Sequence, residues 1–260
     1  MTLEASGYTI VVPARHGSSR FPGKPLHPLG GRPMILHVLD RARESNAARI
    51  VVATDDERIA RVCRAVGADV AMTCPEHPSG TDRIAEVARA RGWGPQTVIV
   101  GLQGDEPATP PERLDALAAD LAAHPDADLS TLRSPIRCRA DWLDPMRVKV
   151  VTDASGMALY FSRAPIPWRR DPVGDPDDFP DSHLHVGLYA YRCRFLLRYA
   201  SLARSTLEAE EQLEQLRVLH HGGRIHVGTV NAGIAHGVDV PGDVPAAEAA
   251  LRAFGSRDAA

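Results

Sequence analysis

Residues 8 to 26 read YTIVVPARHGSSRFPGKPL, an apolar run followed by a basic, glycine-rich loop. The run Tyr8 to Val12 predicts a buried strand, and the loop behind it holds three Arg or Lys side chains, two glycines and two serines. Glycines let the backbone approach a ligand closely, serines add hydroxyl donors, and arginine and lysine supply positive charge. The loop from Pro13 to Leu26 therefore predicts a polyphosphate site; the alternative is a solvated loop between a strand and a helix.

Strand and helix patterns alternate through the rest of the first half of the chain. Further strands are predicted at 50–53, 68–72 and 97–102, and helices at 33–44, 57–66, 82–91 and 112–123. This alternation is typical of βαβ units and predicts a parallel sheet flanked by helices, an α/β fold.

The regular alternation of strands and helices does not continue in the second half. Its pattern predicts a hairpin at 148–151 and 157–161, a strand at 186–191, a helix at 207–219, a strand at 224–230 and an Ala-rich helix at 241–254. A stretch rich in Pro, Asp and Gly at 171–181 predicts an exposed loop. Since nothing marks a linker, we expect one domain over residues 1–260, with a first half at about 8–135 and a second half at 136–254.

Composition narrows the classes of function. The 260 residues are 44% hydrophobic and 24% charged, with a formal net charge of −3, which does not favour nucleic acid or an anionic membrane as partner. With no transmembrane run and no secretory pattern at the start, we expect a cytoplasmic protein. The scattered Cys63, Cys74, Cys138 and Cys193 predict reduced thiols, and His220-His221 predict a helix end rather than a metal site.

Further polar clusters follow the predicted strands of the first half. His77 to Arg83 opens a helix, so its N–H groups and Arg83 suit a base, ribose or phosphate, although a simple helix cap explains it equally well. Gln103 to Pro107 follows the strand at 97–102, and Asp239 follows the late strand. Because ligands bind beyond the carboxyl ends of parallel strands, Asp105 and Asp239 are candidates for one magnesium site; either alone is more often a turn residue.

The second half offers a complementary set of polar groups. Arg163 follows the hairpin, and His185 and Tyr189, four apart on a predicted strand, share one face. Glu214 and Gln215 lie on the helix predicted at 207–219. These groups suit a hydroxyl-rich acceptor that bears a carboxylate. The alternative is that Tyr189, and Trp168 in the segment after the hairpin, belong to the core.

Several of these segments together resemble the 3-deoxy-manno-octulosonate (Kdo) cytidylyltransferase family. The resemblance runs in order from about residue 8 to residue 252, and the later motifs make it more specific than the first loop alone. The matching segments are Pro13–Leu26, His77–Arg83, Gln103–Pro107, Tyr160–Pro167, His185–Arg192, Leu213–Arg217 and Gly237–Asp239.

The resemblance implies a nucleotide-diphospho-sugar transferase-like fold: a Rossmann-like mixed sheet flanked by helices, with a small hairpin lobe. It also implies a homodimer that uses CTP and Mg²⁺ in lipopolysaccharide biosynthesis. The half at about 8–135 would bind the nucleotide, and the half at 136–254 would bind the sugar and form the dimer. Expected nucleotide-binding residues are Pro13, Ala14, Arg15, Gly17, Ser18, Lys24, Ser79, Gly80, Arg83, Gln103 and Asp105. Expected sugar-binding residues are Gln103, Arg163, His185, Tyr189, Glu214 and Gln215. Arg15, Lys24, Asp105 and Asp239 are the expected catalytic residues, and Asp105 and Asp239 the expected metal ligands.

The reaction that this resemblance implies is nucleotidyl transfer. The anomeric hydroxyl of the acid sugar attacks the α-phosphorus of CTP, and pyrophosphate leaves. Such a displacement needs positioning and charge neutralisation rather than a covalent intermediate, so we assign no general base.

The chain departs from the family pattern at three places. Leu184 stands where Lys or Arg is common, Thr206 where proline is usual, and Ala108-Thr109 where bulkier aliphatic residues are expected. A cation missing beside the sugar site leaves the acceptor open between Kdo, its 8-amino analogue, a sialic-acid-like acid and an acid of a specialised pathway. A non-catalytic nucleotide-binding protein is the alternative outside this class of enzyme.

Overall fold

The computed structural model describes residues 7–17, 20–170, 179, 182–231 and 237–255. The strands are β1 (Thr9–Ala14), β2 (Pro28–Leu29), β3 (Arg32–Pro33), β4 (Arg49–Thr54), β5 (Asp69–Met72), β6 (Val98–Gly101), β7 (Leu129–Pro135), β8 (Lys149–Thr152), β9 (Ala158–Ser162), β10 (His183–Arg192) and β11 (Ile225–Thr229). The helices are α1 (Met34–Arg43), α2 (Glu57–Ala65), α3 (Gly80–Ala90), α4 (Pro111–Ala123), α5 (Arg139–Leu143), α6 (Cys193–Tyr199), α7 (Thr206–Glu211), α8 (Gln215–His220) and α9 (Val244–Gly255), with 3₁₀ turns at Lys24–Leu26 and Pro241–Asp243.

The chain folds into two compact units that interleave along the sequence. The first unit comprises residues 1–118, 192–200 and 235–260, and the second comprises 119–191 and 201–234. The sequence predicted halves that meet near residue 135; their assignment to nucleotide and sugar stays a prediction.

The first unit contains the predicted parallel sheet, with strands in the order β6-β1-β4-β5. All six residues of β1 are buried, as a Val- and Ile-rich strand with both faces covered requires. Helix α1 buries Met34, Ile35, Val38 and Leu39 on one face. The helices and strands predicted in this region are confirmed, with ends shifted by one or two residues.

The second unit is a mixed sheet. Strand β7 pairs in parallel with β11 and antiparallel with β10, and β8 pairs antiparallel with both β10 and β9. The β8–β9 pair is the predicted hairpin. Strand β7 and helices α5 and α6 were missed by the sequence analysis. In β7 the reason is composition, because Ser130 and Thr131 are completely buried in it and interrupt the apolar run.

One predicted helix, at 207–219, is wrong as a single element. Helix α7 ends at Glu211, and Gln212 adopts a left-handed conformation with φ of 53° before α8 begins. The pattern of the sequence is continuous here, so the break has no local signal. His220 and His221 do lie at a helix end, as predicted.

The remaining sequence expectations have mixed outcomes. All four cysteines are free, in agreement with the prediction of reduced thiols. Of the loop predicted at 171–181, only Phe179 is described, and it is buried. None of the helices in the described part of the chain combines the length and apolar character that crossing a bilayer requires.

Candidate active site

A cleft of about 240 Å³ opens in the first unit, beyond the carboxyl ends of its parallel strands. Its wall consists of stretches that follow β1, β5 and β6, together with one residue that precedes α9. The lining residues are Pro13, Ala14, Arg15, Arg20, Lys24, Pro25, His77, Ser79, Gly80, Arg83, Gln103, Gly104, Asp105 and Asp239. The fold thus gathers the predicted nucleotide-binding and metal-binding residues in one place. The described lining does not include Gly17, and Ser18 lies outside the described residues.

The loop after β1 places Lys24 at the floor of this cleft. Gly23 has a left-handed φ of 72°, and its N–H donates to the carbonyl of His16 at 2.9 Å, so the loop closes on itself and a 3₁₀ turn begins at Lys24. The Lys24 side chain is only 10% exposed. Its ammonium forms an ion pair with Asp105 and lies 3.8 Å from an Oδ of Asp239.

Asp105 and Asp239 therefore face the same small volume. Arg20 also pairs with Asp239 at 2.8 Å, on the exposed side. Next to them, burial and the Asp105 carboxylate raise the pKa of Glu106 to about 8. Burial therefore disfavours a charge on Glu106, and the neighbouring Asp105 carboxylate adds to this effect. Partly exposed carboxylate oxygens are the donors that Mg²⁺ prefers, so Asp105 and Asp239 fit the predicted metal.

Helix α3 starts at the opposite wall of the cleft. Ser79 is its N-cap: the Oγ accepts from the N–H of Asp82 at 3.2 Å and donates to the Asp82 carboxylate at 2.7 Å. The helix cap predicted for this segment is confirmed, and ligand binding by the same segment stays a prediction, since Ser79, Gly80 and Arg83 also line the cleft.

Arg83, on the same helix, is 2% exposed, and two protein acceptors hold its guanidinium. Its guanidinium donates to the Asp55 carboxylate at 2.8 Å and to the Thr73 hydroxyl. Asp55 follows β4 and Thr73 follows β5, so neighbouring strands orient one arginine at the cleft. A guanidinium held in this way presents a preset donor to a ligand.

Gly80 allows the closest approach across the cleft wall. A Cβ at this position would lie 2.9 Å from Oε1 of Gln103 and 3.3 Å from Cγ of Pro13. A side chain here would displace the Gln103 amide, so glycine lets the first turn of α3 pack directly on Pro13 and Gln103.

The predicted sugar-binding residues of the second unit form separate contacts. Arg163, just past β9, is held by Glu211: its N–H donates to the carboxylate at 2.8 Å, and its Nε donates to the carbonyl of Glu211 at 2.7 Å. The buried Lys149 ammonium donates to the Arg163 carbonyl at 2.6 Å. Glu214 is exposed and Gln215 buried at the start of α8. Gln103 belongs to the first unit, and the sugar-binding role of this set stays a prediction.

His185 and Tyr189 share one face of β10, as their spacing predicted. An irregularity in the pairing with β7, between Val186 and Tyr189, also makes them neighbours, which the sequence did not predict. Their ring centroids are 5.4 Å apart, and the Phe161 ring packs edge-on against His185 at 4.9 Å. The Nε2 of His185 lies 2.9 Å from the Thr131 hydroxyl, which also lies 2.8 Å from the carbonyl of Leu188 and donates to it. Burial lowers the pKa of His185 to about 3, so the imidazole is neutral at physiological pH.

Acid should destabilise the protein through His185. An unfolded histidine titrates near pH 6.5, so between about pH 3 and 6.5 the unfolded chain binds a proton that the folded chain does not. The free energy of unfolding then falls as the pH drops, by about 2 kcal/mol between pH 6.5 and 5. Urea unfolding of the wild type and of His185→Gln at pH 7 and 5 measures this term. If the free energy of unfolding fell equally in both proteins between pH 7 and 5, His185 would not be the cause.

Leu184, the departure beside His185, is a core residue. It is 3% exposed and packs in a cluster with Ile136, Trp142 and Phe179. Trp168 is 68% exposed and stacks on Trp142, so it is not core, whereas Tyr189 is partly buried. The apolar residue at position 184 is therefore explained by its packing in the core of this chain.

The sequence and the structure both match known cytidylyltransferases. A family model described as cytidylyltransferase matches residues 9–225. The 3-deoxy-manno-octulosonate cytidylyltransferase of Nitrosococcus oceani is 49% identical over 242 residues, which are 91% of this chain and 93% of that protein. The chain belongs to the 3-deoxy-manno-octulosonate cytidylyltransferase family.

Another relative and a solved structure are also similar to this chain. The 3-deoxy-manno-octulosonate cytidylyltransferase of Pseudomonas syringae pv. tomato is 49% identical over 243 residues, covering 92% of this chain and 96% of that protein. A solved structure of CMP:2-keto-3-deoxy-manno-octonic acid synthetase complexed with CTP superimposes with a TM-score of 0.87 at 39% identity, over 96% of this chain and all of that one. The nucleotide-diphospho-sugar transferase-like fold implied by the resemblance is confirmed.

In this member of the 3-deoxy-manno-octulosonate cytidylyltransferase family, the sequence analysis missed the residues that hold the predicted site residues in place. They are Asp55 and Thr73 behind Arg83, Glu211 and Lys149 around Arg163, and Thr131 beside His185. Asp55 and Thr73 carried a signal, because each lies just past a predicted strand, at the sheet edge where the cleft opens.

Proposed function

We propose that this chain transfers CMP from CTP to the anomeric hydroxyl of Kdo and releases pyrophosphate. The observation that carries the proposal is the cleft in which Lys24, Asp105, Asp239 and the start of α3 converge. The similarity to a CTP complex at a TM-score of 0.87 supports the same choice of nucleotide.

On this proposal the nucleotide spans the cleft from wall to wall. Arg15 and Lys24 bind the triphosphate, since charge-assisted hydrogen bonds to phosphate are strong and both side chains line the cleft. Ser79, Gly80 and the preset guanidinium of Arg83 bind the cytidine portion. Gln103, packed on Gly80, lies between these two parts of the wall.

Asp105 and Asp239 would hold Mg²⁺ beside the phosphates. When bound, the ion would supply charge neutralisation at the α-phosphate and lower the pKa of the attacking hydroxyl. Lys24 lies against both carboxylates, so it keeps their oxygens directed at the same point before any ligand arrives. The chain contributes positioning and charge rather than a nucleophile.

At the α-phosphorus, the reaction forms one bond and breaks one bond. The anomeric oxygen of the sugar bonds to the α-phosphorus, and the bond from that phosphorus to the oxygen bridging to the β-phosphate breaks. The hydroxyl proton passes to solvent. Arg15 and Lys24 stabilise the negative charge that develops on the departing pyrophosphate.

On this proposal the acceptor binds to the second unit through Arg163, His185, Tyr189, Glu214 and Gln215. Arg163 is held by Glu211, and its charge suits the sugar carboxylate. The neutral imidazole of His185 suits a hydroxyl, because it can donate or accept without an ionic charge.

Pyrophosphate release tests the proposal directly. The protein is incubated with CTP, Mg²⁺ and one acid at a time: Kdo, 8-amino-Kdo or a sialic acid. We expect release with Kdo, much slower release with UTP in place of CTP, and none without Mg²⁺. Release with another acid but not with Kdo would overturn the acceptor, and CTP binding with no release for any acid would indicate a nucleotide-binding protein without catalysis.

We also propose a cytoplasmic homodimer, since CTP is a cytoplasmic metabolite and large apolar side chains of the second unit are exposed. These side chains are Leu143, Met146, Leu159 and Trp168, on the hairpin and its flanks. Exposed apolar side chains of this size favour burial against a partner. Sedimentation equilibrium should give twice the monomer mass, and Leu159→Glu should shift it towards the monomer.

A further inference from the structure

One carboxylate and two imidazoles form a cluster in the second unit that the proposed reaction does not use. Asp120 lies in the last turn of α4, His124 follows four residues later, and His226 is the second residue of β11. We propose that Asp120, His124 and His226 bind a divalent transition-metal ion of the zinc type.

The three side chains are close enough to share one ion. The Nδ1 of His226 lies 2.8 Å from one Asp120 carboxylate oxygen, and the Nδ1 of His124 lies 3.7 Å from the other. One ligand atom from each residue lies within 4.8 Å of the other two. Ligand atoms that are each about 2.0–2.2 Å from zinc lie at comparable mutual distances, so a rotation of the His124 side chain would complete the ligand set.

The surrounding structure fixes the direction of His226. The hairpin turn covers its far side, because a Cβ added at Gly156 would lie 2.6 Å from the Nε2 of His226. The Nδ1 atom is therefore the one directed at Asp120. The two imidazoles stack with centroids 3.4 Å apart and planes 15° from parallel, so one ring must turn before both nitrogens can point at one ion. We assign this movement to His124, whose side chain is the more exposed of the two.

Burial leaves the cluster one accessible side. The side chains of His226 and Asp120 are 10% and 15% exposed, whereas that of His124 is 34% exposed. An ion can reach the cluster past His124 and keep a water there as fourth ligand. The Nδ1 of His124 also lies 2.7 Å from the carbonyl of Asp120, and it must leave that oxygen to coordinate the ion.

The donor set distinguishes this cluster from the predicted magnesium site. Two imidazole nitrogens and one carboxylate oxygen suit zinc and its neighbours among the transition metals, whereas Mg²⁺ prefers oxygen ligands alone. The ion would join the end of α4 to β11, and it should stabilise the fold of the second unit.

Cobalt titration tests the proposal, because Co²⁺ replaces zinc and its visible absorption reports nitrogen and oxygen ligands. The full-length protein is stripped of metal and titrated with Co²⁺ while excess Mg²⁺ occupies the carboxylates of the cleft. We expect one Co²⁺ per chain, its displacement by Zn²⁺, and binding at least about tenfold weaker in Asp120→Asn and His124→Ala. His221→Ala, which removes an imidazole outside the cluster, should bind like the wild type.

Thermal unfolding separates a metal site from a cluster that only forms hydrogen bonds. Zn²⁺ should raise the Tm of the wild type and of His221→Ala but leave that of His124→Ala unchanged. The side chain of His124 is the most exposed of the three, so His124→Ala is the variant best able to fold. Wild-type absorption no stronger than that of His124→Ala, or a variant Tm lowered equally with and without Zn²⁺, would overturn the proposal.

Discussion

Asp105→Asn should lower kcat for CMP transfer by about 10²-fold or more. The substitution keeps the size of the side chain and removes the charge that pairs with Lys24 and, with Asp239, would hold Mg²⁺. CTP binding measured without Mg²⁺ should not weaken, because the variant removes a negative charge beside the phosphates. Kinetics with CTP and Kdo, together with calorimetry in EDTA, measure the two effects.

The control for this variant is Asp126→Asn, which neutralises an exposed carboxylate of the second unit. Its kcat should match that of the wild type. Asp239→Asn should resemble Asp105→Asn in direction and order of magnitude. If both cleft variants kept full turnover, the two-carboxylate site would be wrong, even if CTP binding remained.

Lys24→Met should lower kcat/KM for CTP by about 10²-fold. Methionine fills the space of the lysine stem, so the loss reports the ammonium, which is buried against Asp105 and is expected to bind the triphosphate. Without it, the carboxylates repel the incoming phosphates and the leaving pyrophosphate loses a cation. Steady-state kinetics at saturating Kdo measure the effect, and the Tm checks that the variant folds.

Two matched variants show what the ammonium itself contributes. Lys24→Arg keeps the charge but changes its geometry, so its activity should lie between that of Lys24→Met and the wild type. Arg20→Gln removes a charge that also pairs with Asp239 but is 62% exposed, so solvent screens it and its effect should be smaller. An unchanged kcat/KM in Lys24→Met would show that Lys24 only stabilises the loop.

Much of the first unit could be predicted from sequence because its elements are locally encoded. The strands β1, β4 and β6 are short apolar runs that end at polar loops, and α1 shows an apolar face at helical spacing. The cleft could be predicted as well, since each candidate cluster follows such a strand and parallel strands bring their carboxyl ends to one edge.

What the sequence did not predict depends on contacts between distant residues. Thr131 is polar and completely buried because it bonds to β10, more than fifty residues away along the chain. Helix α7 ends at Glu211, whose carboxylate bonds to Ser162 and Arg163 at the end of β9. Such tertiary bonds override the local helical pattern, and no spacing rule along the chain reveals them.

The interleaving of the two units bears on how the protein is synthesised. The ribosome completes the loop that follows β1 and Asp105 first, then the whole second unit, and only afterwards the stretch that carries Asp239. A nascent chain thus displays this loop while Asp239 is still missing. A chain that stops ahead of Asp239 has only one of the two carboxylates proposed to hold the metal, so the proposed site is complete only once residue 239 has been added.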